Sequence, residues 1–319
     1  MTRRGETPRL RSRPSGRSPK GRSLLGIEGL SKEEILAFLR LTRRMNSRKP
    51  RPLLRGRRIA LLFYEASTRT RGSFEFAAQA LGATTSVVHA SASSIEKGES
   101  LVDTGHTLAA LGADAIVLRH PCSGAPHLMA RHLDVPVINA GDGMHEHPSQ
   151  ALLDAFTILR HRKSLSGLRV TIVGDVLHSR VARSNIHLLS AFGAQIALCG
   201  PPEFVPEVAA TLARGLRVTR YLDDALRGAD VILMLRVQKE RLQGHKLSVP
   251  DYVAGYQLTP ERLAIARRGA LVLHPGPIIR GMELTAEVAD GPQSVIRAQV
   301  ANGVAVRMAI LAHSLGAAR

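Results

Sequence analysis

The chain has 319 residues, 44% of them hydrophobic, with 44 Lys/Arg against 26 Asp/Glu and a formal net charge of +18. That length supports a substantial core and is long for one domain, so two domains of similar size are expected. Two isolated cysteines, Cys122 and Cys199, exclude a disulfide framework and a thiolate zinc site and read as small apolar residues. No apolar run is long enough to cross a bilayer, and the amino terminus lacks a secretory apolar core, so a cytoplasmic location is expected.

Residues 1–22 carry eight Lys/Arg and one acid, and residues 40–58 carry nine Lys/Arg and no acid, so two short stretches supply 16 of the 18 charges. The remainder is nearly neutral, which argues against a broad nucleic-acid-binding face. With Pro8, Pro14, Pro19 and three glycines and few apolar residues, 1–22 reads as a disordered basic tail, able to hold polyanions without sequence readout. Ser31-Lys32-Glu33-Glu34 is a capping box, and Ile35, Leu36, Phe38, Leu39 and Met45 follow at helical spacing, predicting a helix over about 31–45. Apolar runs at 58–63, 85–89, 115–118 and 135–139 then predict buried strands, with helices near 72–81, 100–111 and 124–132 between them. A helix over 150–162 leads into a loop marked by Ser164, Ser166 and Gly167, which places a domain boundary near 162.

The second half repeats the alternation. Strands are predicted at 169–173, 195–199, 217–220, 231–235 and 271–273, with helices near 180–192, 203–214 and 260–267. A last helix over 295–315 would cross back onto the first domain. The fold class is therefore α/β: two domains, 23–162 and 163–294, each a parallel sheet flanked by helices and joined by long helices.

The strongest chemical signal is Glu65-Ala66-Ser67-Thr68-Arg69-Thr70-Arg71, between a predicted strand and a predicted helix. A helix amino terminus offers unpaired N–H groups and a positive dipole end; three hydroxyls and two guanidiniums around it suit a phosphate. Neither the glycine-rich dinucleotide fingerprint nor a P-loop lysine is present. Arg119-His120-Pro121 closes another predicted strand, which aims Arg119 at the same crevice. In 139–150, Pro148 suits a first helical turn, with His147 and Gln150 at its amino end. A metal site built from Asp142, His145 and His147 is a weaker reading than metal-free recognition, and His145 and Glu146 are expected to be solvated. Arg180, in a second strand–turn–helix segment, and Arg236 and Gln238, after another strand, stand at strand ends of the second half, whereas Arg183 reads as structural. His274-Pro275-Gly276-Pro277 is a rigid loop whose carbonyls are fixed acceptors.

Ser67-Thr68-Arg69-Thr70-Arg71 resembles the carbamoyl phosphate signature of the aspartate/ornithine carbamoyltransferase superfamily, and the similarity extends over about 23–315. The resemblance implies carbamoyl phosphate bound by Ser67, Thr68, Arg69, Thr70, Arg119, His147, Gln150, Gly276 and Pro277. Of these, Arg69, Thr70, Arg119 and His147 would be catalytic, with His147 donating to the carbamoyl oxygen. Domain 23–162 would then bind carbamoyl phosphate and 163–294 the acceptor. Ser93-Ser94-Ile95-Glu96-Lys97-Gly98 resembles the loop that members of the aspartate branch donate to a neighbouring subunit. Arg236-Val237-Gln238-Lys239-Glu240-Arg241 resembles that branch's acceptor loop, which with Lys97 and Arg180 would hold L-aspartate. Ser149 and Ile279 depart from the commoner Thr and Asn.

The implied reaction forms N-carbamoyl-L-aspartate and phosphate, a step of pyrimidine biosynthesis, with no cofactor and no metal. A homotrimer with shared sites is implied, with a regulatory chain or a dihydroorotase as possible further partners. An ornithine or other amino-acid carbamoyltransferase, an inactive assembly partner and a nucleic-acid binder are the alternatives. The two acceptor-side arginines disfavour a cationic acceptor.

Overall fold

The computed structural model describes residues 22–45, 51–89, 98–238, 240 and 247–318. The expectations for the tail up to residue 21, for Ser93 and for Lys97 lie outside the described residues. Among the described residues no helix is long and apolar enough to cross a membrane.

Two parallel sheets form the framework. In the first, β1 (Arg58–Phe63), β2 (Thr84–His89), β3 (Ala115–His120) and β4 (Val137–Asp142) lie in the order β2-β1-β3-β4. In the second, β5 (Arg169–Val173), β6 (Gln195–Cys199), β7 (Arg217–Thr219), β8 (Val231–Met234) and β9 (Leu271–Leu273) lie in the order β7-β6-β5-β8-β9. Every residue of β1 after Arg58 and of β5 after Arg169 is buried. Continuous apolar strands of this kind require cover on both faces, which the intervening helices provide.

Those helices are α1 (Lys32–Arg44), α2 (Thr68–Ala80), α3 (Leu101–Ala110), α4 (Ala125–His132), α5 (Pro148–His161) and α6 (Arg180–Ala191). The Ser31 capping box is formed, with Glu34 N–H on the Ser31 hydroxyl and the Glu34 carboxylate on Ser31 N–H. The α2 face carrying Phe74, Ala77, Ala78 and Leu81 is fully buried, as its periodicity predicts. Past β6 the expected helix over 203–214 is only a 3-10 turn, Glu207–Leu212. Pro201, Pro202 and Pro206 lack the N–H groups a longer α-helix would need.

The expected 260–267 helix is likewise cut to a single turn, Pro260–Leu263. Three helices without a strong sequence signal are also present: α7 (Leu222–Leu226), α8 (Val249–Tyr256) and, after the Pro260 turn (α9), α10 (Ala286–Asp290). Of the cysteines, Cys199 is buried while Cys122 is exposed, so only the first is an apolar core residue.

Two long helices connect the sheets. α5 follows β4 and is buried along most of its length, from Pro148 to Ile158. The final helix α11 (Ile296–Ser314) follows the second sheet and packs against α1, α2 and α5.

Glu146, expected to be solvated, is 1% exposed. One carboxylate oxygen accepts Ile27 N–H (2.8 Å) and the Ser184 hydroxyl (2.6 Å), and the other accepts Glu28 N–H (3.0 Å). It thereby joins the amino-terminal segment, the β4–α5 loop and α6. Burial is tolerated because each lone pair that loses water gains an N–H or O–H donor. Glu146→Ala would leave two buried donors, Ile27 N–H and the Ser184 hydroxyl, unpaired together with the half-buried Glu28 N–H, and we expect it to cost about 3 kcal/mol, read from the midpoint of urea unfolding.

Candidate functional site

One cavity of about 580 Å³ lies where the two sheets meet. Its walls come from the carboxyl ends of six strands: Glu65–Thr70 after β1, Arg119 and Pro121 from β3, Gly143, Met144 and His147 after β4. The other wall has Asp175 to Val181 after β5, Arg236 and Gln238 after β8, and His274 to Pro277 after β9. The pairs β1/β3 and β5/β8 are the places in each sheet where strand order reverses direction, the positions at which open α/β sheets form crevices. α11 closes the floor with Gln299, Val300 and Arg307.

All the sequence-predicted site residues that fall within the described part line this cavity: Ser67, Thr68, Arg69, Thr70, Arg119, His147, Gln150, Arg180, Arg236, Gln238, Gly276 and Pro277. The sequence gives no role to five further lining residues, Glu65, His178 and His274, which stand inside the segments singled out, and Gln299 and Arg307 on the last helix. An arginine amid the apolar residues of the predicted last helix, Arg307, was a signal that this helix reaches a polar site.

The helix start at Ser67 has the geometry expected of an anion cradle. Ser67 adopts an extended N-cap conformation, yet its hydroxyl makes no capping hydrogen bond, and no acid lies in the first turn. The N–H groups of that turn and the nearby hydroxyls thus present donors without a built-in carboxylate.

Five guanidiniums, Arg69, Arg119, Arg180, Arg236 and Arg307, stand against two carboxylates, Glu65 and Asp175, among the described lining residues. Glu65 bridges two of them, accepting from Arg119 Nε at 3.1 Å and from Arg180 Nη2 at 2.8 Å through the same oxygen. Arg180 also donates to the Gly143 carbonyl (3.2 Å), and Arg183 donates outside the wall to the Met144 carbonyl (2.9 Å), a structural contact. Burial, then the charge of Arg180, pushes Arg119 down to about 10. Arg69 is held below its usual range by burial and by Arg236. Like charges this close favour a multiply charged anion between them.

Two glycines make room for these side chains. Gly141 has φ +114°, and a Cβ there would sit 3.0 Å from Arg180 Nε. Gly276 has φ +69°, and a Cβ would lie 3.1 Å from both Cζ and Nε of Arg69. Both positions also need a backbone conformation open chiefly to glycine.

Two histidines of the cavity, His147 and His274, are held neutral by their burial among arginines. His147 is held well below the usual range by burial and by Arg119, Arg180 and Arg307. Its backbone N–H donates to the Ser184 hydroxyl (2.9 Å), and its Nδ1 lies 3.4 Å from the Ser149 hydroxyl. His145 Nδ1 lies 3.1 Å from Asp142, so His145 is half-buried and partnered rather than solvated. The Asp142 carboxylate also accepts Gly124 N–H, Glu146 N–H and the Asn139 amide, which makes it the organiser of the loop before α5.

Glu283, also fully buried, accepts Val237 N–H (3.1 Å) on one oxygen and Ile279 N–H (2.8 Å) on the other. It ties the loop of Arg236 and Gln238 to the loop of Gly276 and Pro277. Residue 279 enters this contact through its backbone, so an Ile side chain is compatible with it.

Residues 22–160 match the aspartate/ornithine carbamoyltransferase carbamoyl-P binding domain, and residues 166–314 match the Asp/Orn binding domain of the same family. The chain belongs to the aspartate/ornithine carbamoyltransferase family. Within it, the chain is 63% identical over 295 residues to an aspartate carbamoyltransferase catalytic subunit of Koribacter versatilis, covering 92% of this chain and 97% of that protein. Among solved structures it is similar to aspartate transcarbamoylase from Trypanosoma cruzi in complex with carbamoyl aspartate and phosphate, at 32% identity and TM-score 0.79. That match covers 92% of this chain and 95% of the other. It is also similar to ornithine carbamoyltransferase from Pyrococcus furiosus, at 29% identity and TM-score 0.83, covering 93% and 97%.

His274 yields a pH prediction. Gly276 N–H donates to its Nδ1 at 2.8 Å, so the neutral ring carries its proton on Nε2, and burial followed by Arg69 and Arg236 pushes its pKa down from 6.5 to about 3. Between pH 6.5 and about 3 the unfolded chain binds a proton there that the folded chain does not, so this group makes stability fall with falling pH. His274→Asn keeps an acceptor for Gly276 without the titration. Relative to the variant, the parent should lose an extra ~2 kcal/mol between pH 7 and pH 5 in urea unfolding.

Proposed function

We propose that this chain transfers the carbamoyl group of carbamoyl phosphate to the amino group of L-aspartate, giving N-carbamoyl-L-aspartate and phosphate. The carrying observation is a shared cavity with five arginines and a helix amino terminus without a side-chain cap, divided between a wall after β1 and β3 and a wall after β5 and β8. The first wall suits a phosphoryl group and the second suits two carboxylates. A cationic acceptor such as ornithine would be repelled by Arg180 and Arg236 in the acceptor wall. The 63% identity to a protein named for the aspartate reaction supports the same choice.

In this reading the phosphate of the first substrate lies on the N–H groups and hydroxyls of Ser67, Thr68 and Thr70, with Arg69 and Arg119 neutralising it. Residues 23–162 supply this half and residues 163–294 the acceptor half. Neutral His147, with Nδ1 accepting from Ser149, donates Nε2–H to the carbamoyl oxygen, and Thr70 and Arg119 add donors as negative charge grows there. The Gln150 amide and the carbonyls of Gly276 and Pro277 hold the carbamoyl NH2.

Aspartate enters with its carboxylates on Arg180 and Arg236, assisted by Gln238 and by Lys97. Its amine attacks the carbonyl carbon, the C–O bond to phosphate breaks, and the departing phosphate takes the amine proton. Orientation and fixed charge supply the acceleration, with no cofactor or metal in the scheme. The active unit is a homotrimer in the cytoplasm in which a neighbour contributes Ser93 and Lys97; a regulatory chain or a dihydroorotase is a further candidate partner.

Purified chain should carbamoylate aspartate and leave ornithine unreacted in a colorimetric ureido assay; the reverse preference would refute the assignment. Arg236→Ala should raise KM for aspartate about 100-fold, and Arg69→Ala should lower kcat at least about 100-fold. Mixing Arg69→Ala with Lys97→Ala chains should restore activity in mixed oligomers, whereas mixed trimers that stay inactive would rule out sharing.

A further inference from the structure

Asp154 lies on α5, one turn beyond Gln150, and is fully buried without lining the cavity. Three amide nitrogens from three helices converge on its carboxylate. Gln150 Nε2 on α5 donates to Oδ1 at 2.9 Å, Gln299 Nε2 on α11 donates to the same oxygen at 2.8 Å, and Asn185 Nδ2 on α6 donates to Oδ2 at 2.9 Å.

Two of the three amides have their polarity fixed from the other side. Gln299 Oε1 accepts the backbone N–H of His274 (2.9 Å), so its nitrogen has to face Asp154. Asn185 Nδ2 also donates to the Val181 carbonyl (3.0 Å), so its nitrogen is likewise committed. Gln150 lacks such an outside constraint among its described side-chain hydrogen bonds, so the acceptor oxygen of Asp154 is what turns its nitrogen inward and leaves Oε1 to the cavity. Burial pushes Asp154 up to about 6 while the three amides and Arg307 favour its charge, so the acceptor form persists at neutral pH. Arg307, completely buried and resting over the Phe74 ring at 5.2 Å, supplies the compensating positive charge nearby.

We propose that Asp154 is a positioning and specificity-determining residue. It forces Gln150 to present a carbonyl oxygen to the cavity and, through Gln299 and His274 N–H, holds the His274–Pro277 loop. Both acceptors of the donor's NH2 group are thereby registered by one carboxylate, and the site prefers a donor bearing NH2 to one bearing CH3 in the same place. The inference rests on the carbamoyl-transfer reading above and adds to it the origin of donor selectivity.

The probe is acetyl phosphate, which replaces the carbamoyl NH2 by a methyl group and keeps the phosphate, measured as a competitive inhibitor against carbamoyl phosphate. Asp154→Ala frees the Gln150 amide to rotate and releases Gln299, so KM for carbamoyl phosphate should rise about tenfold or more while the inhibition constant of acetyl phosphate changes less than about twofold. Should Asp154→Ala fail to fold, Gln299→Leu cuts only the arm to the His274 loop and should shift the same ratio in the same direction. Equal weakening of both ligands, or an unchanged ratio in the folded variant, would overturn the proposal and leave Asp154 a helix-packing group. Turnover of the unaltered chain separates the two levels: absent carbamoyl transfer refutes the underlying reading, whereas normal transfer with an unmoved ratio refutes only the role of Asp154.

Discussion

Gathering positive charge around one small cavity is the constraint on which the rest of this structure depends. Two unit charges about 4 Å apart at an effective dielectric near 20 repel by about 4 kcal/mol, and five arginines line this cavity. Flexible surface side chains would relieve such repulsion by swinging into water. Here Arg119 and Arg180 are fixed by Glu65 and by backbone carbonyls, and Arg307, on α11, is buried against the Phe74 ring. Holding the charges in place makes the cavity complementary to anions before any anion arrives, the preorganisation on which electrostatic catalysis relies.

Buried carboxylates in turn hold the chain segments around the cavity. Glu146 joins the amino-terminal segment to α6, Asp142 shapes the loop before α5, Glu283 links two cavity loops of the second sheet, and Asp154 links α5, α6 and α11. Each is buried with its oxygens occupied by N–H or O–H donors from separate segments. A buried charge is tolerable only when its lone pairs are satisfied, so each of these groups specifies several chain segments at once. The neutral histidines follow from the same field. In a cavity already rich in arginine, an imidazolium is doubly disfavoured, and His147 and His274 remain neutral donors.

Much of this was legible in the sequence because it depends on local pattern. The strand–helix alternation, the Ser31 capping box, the buried face of α2 and the placement of Arg69, Arg119, Arg180 and Arg236 at strand ends follow from periodicity, caps and the rule that open parallel sheets bind ligands beyond their carboxyl ends. Short helices such as Leu222–Leu226 are not legible because five residues carry too little periodicity, and over 203–214 the apolar spacing suggests a helix that the prolines around it reduce to a 3-10 segment.

What only the tertiary structure decided are the contacts between residues far apart in the chain. Sequence spacing located His147, Gln150 and Arg180 but could not reveal that Glu65 bridges Arg119 to Arg180, or that Glu146 is a buried anchor for Ile27 and Glu28. Nor could it connect Gln150 to Gln299 through Asp154, across 145 positions between Asp154 and Gln299. The physical reason is that backbone preference and hydrophobic period act over a few residues and are written in order along the chain. The pairing of a buried carboxylate with its donors is settled by where packed helices and sheets bring them together.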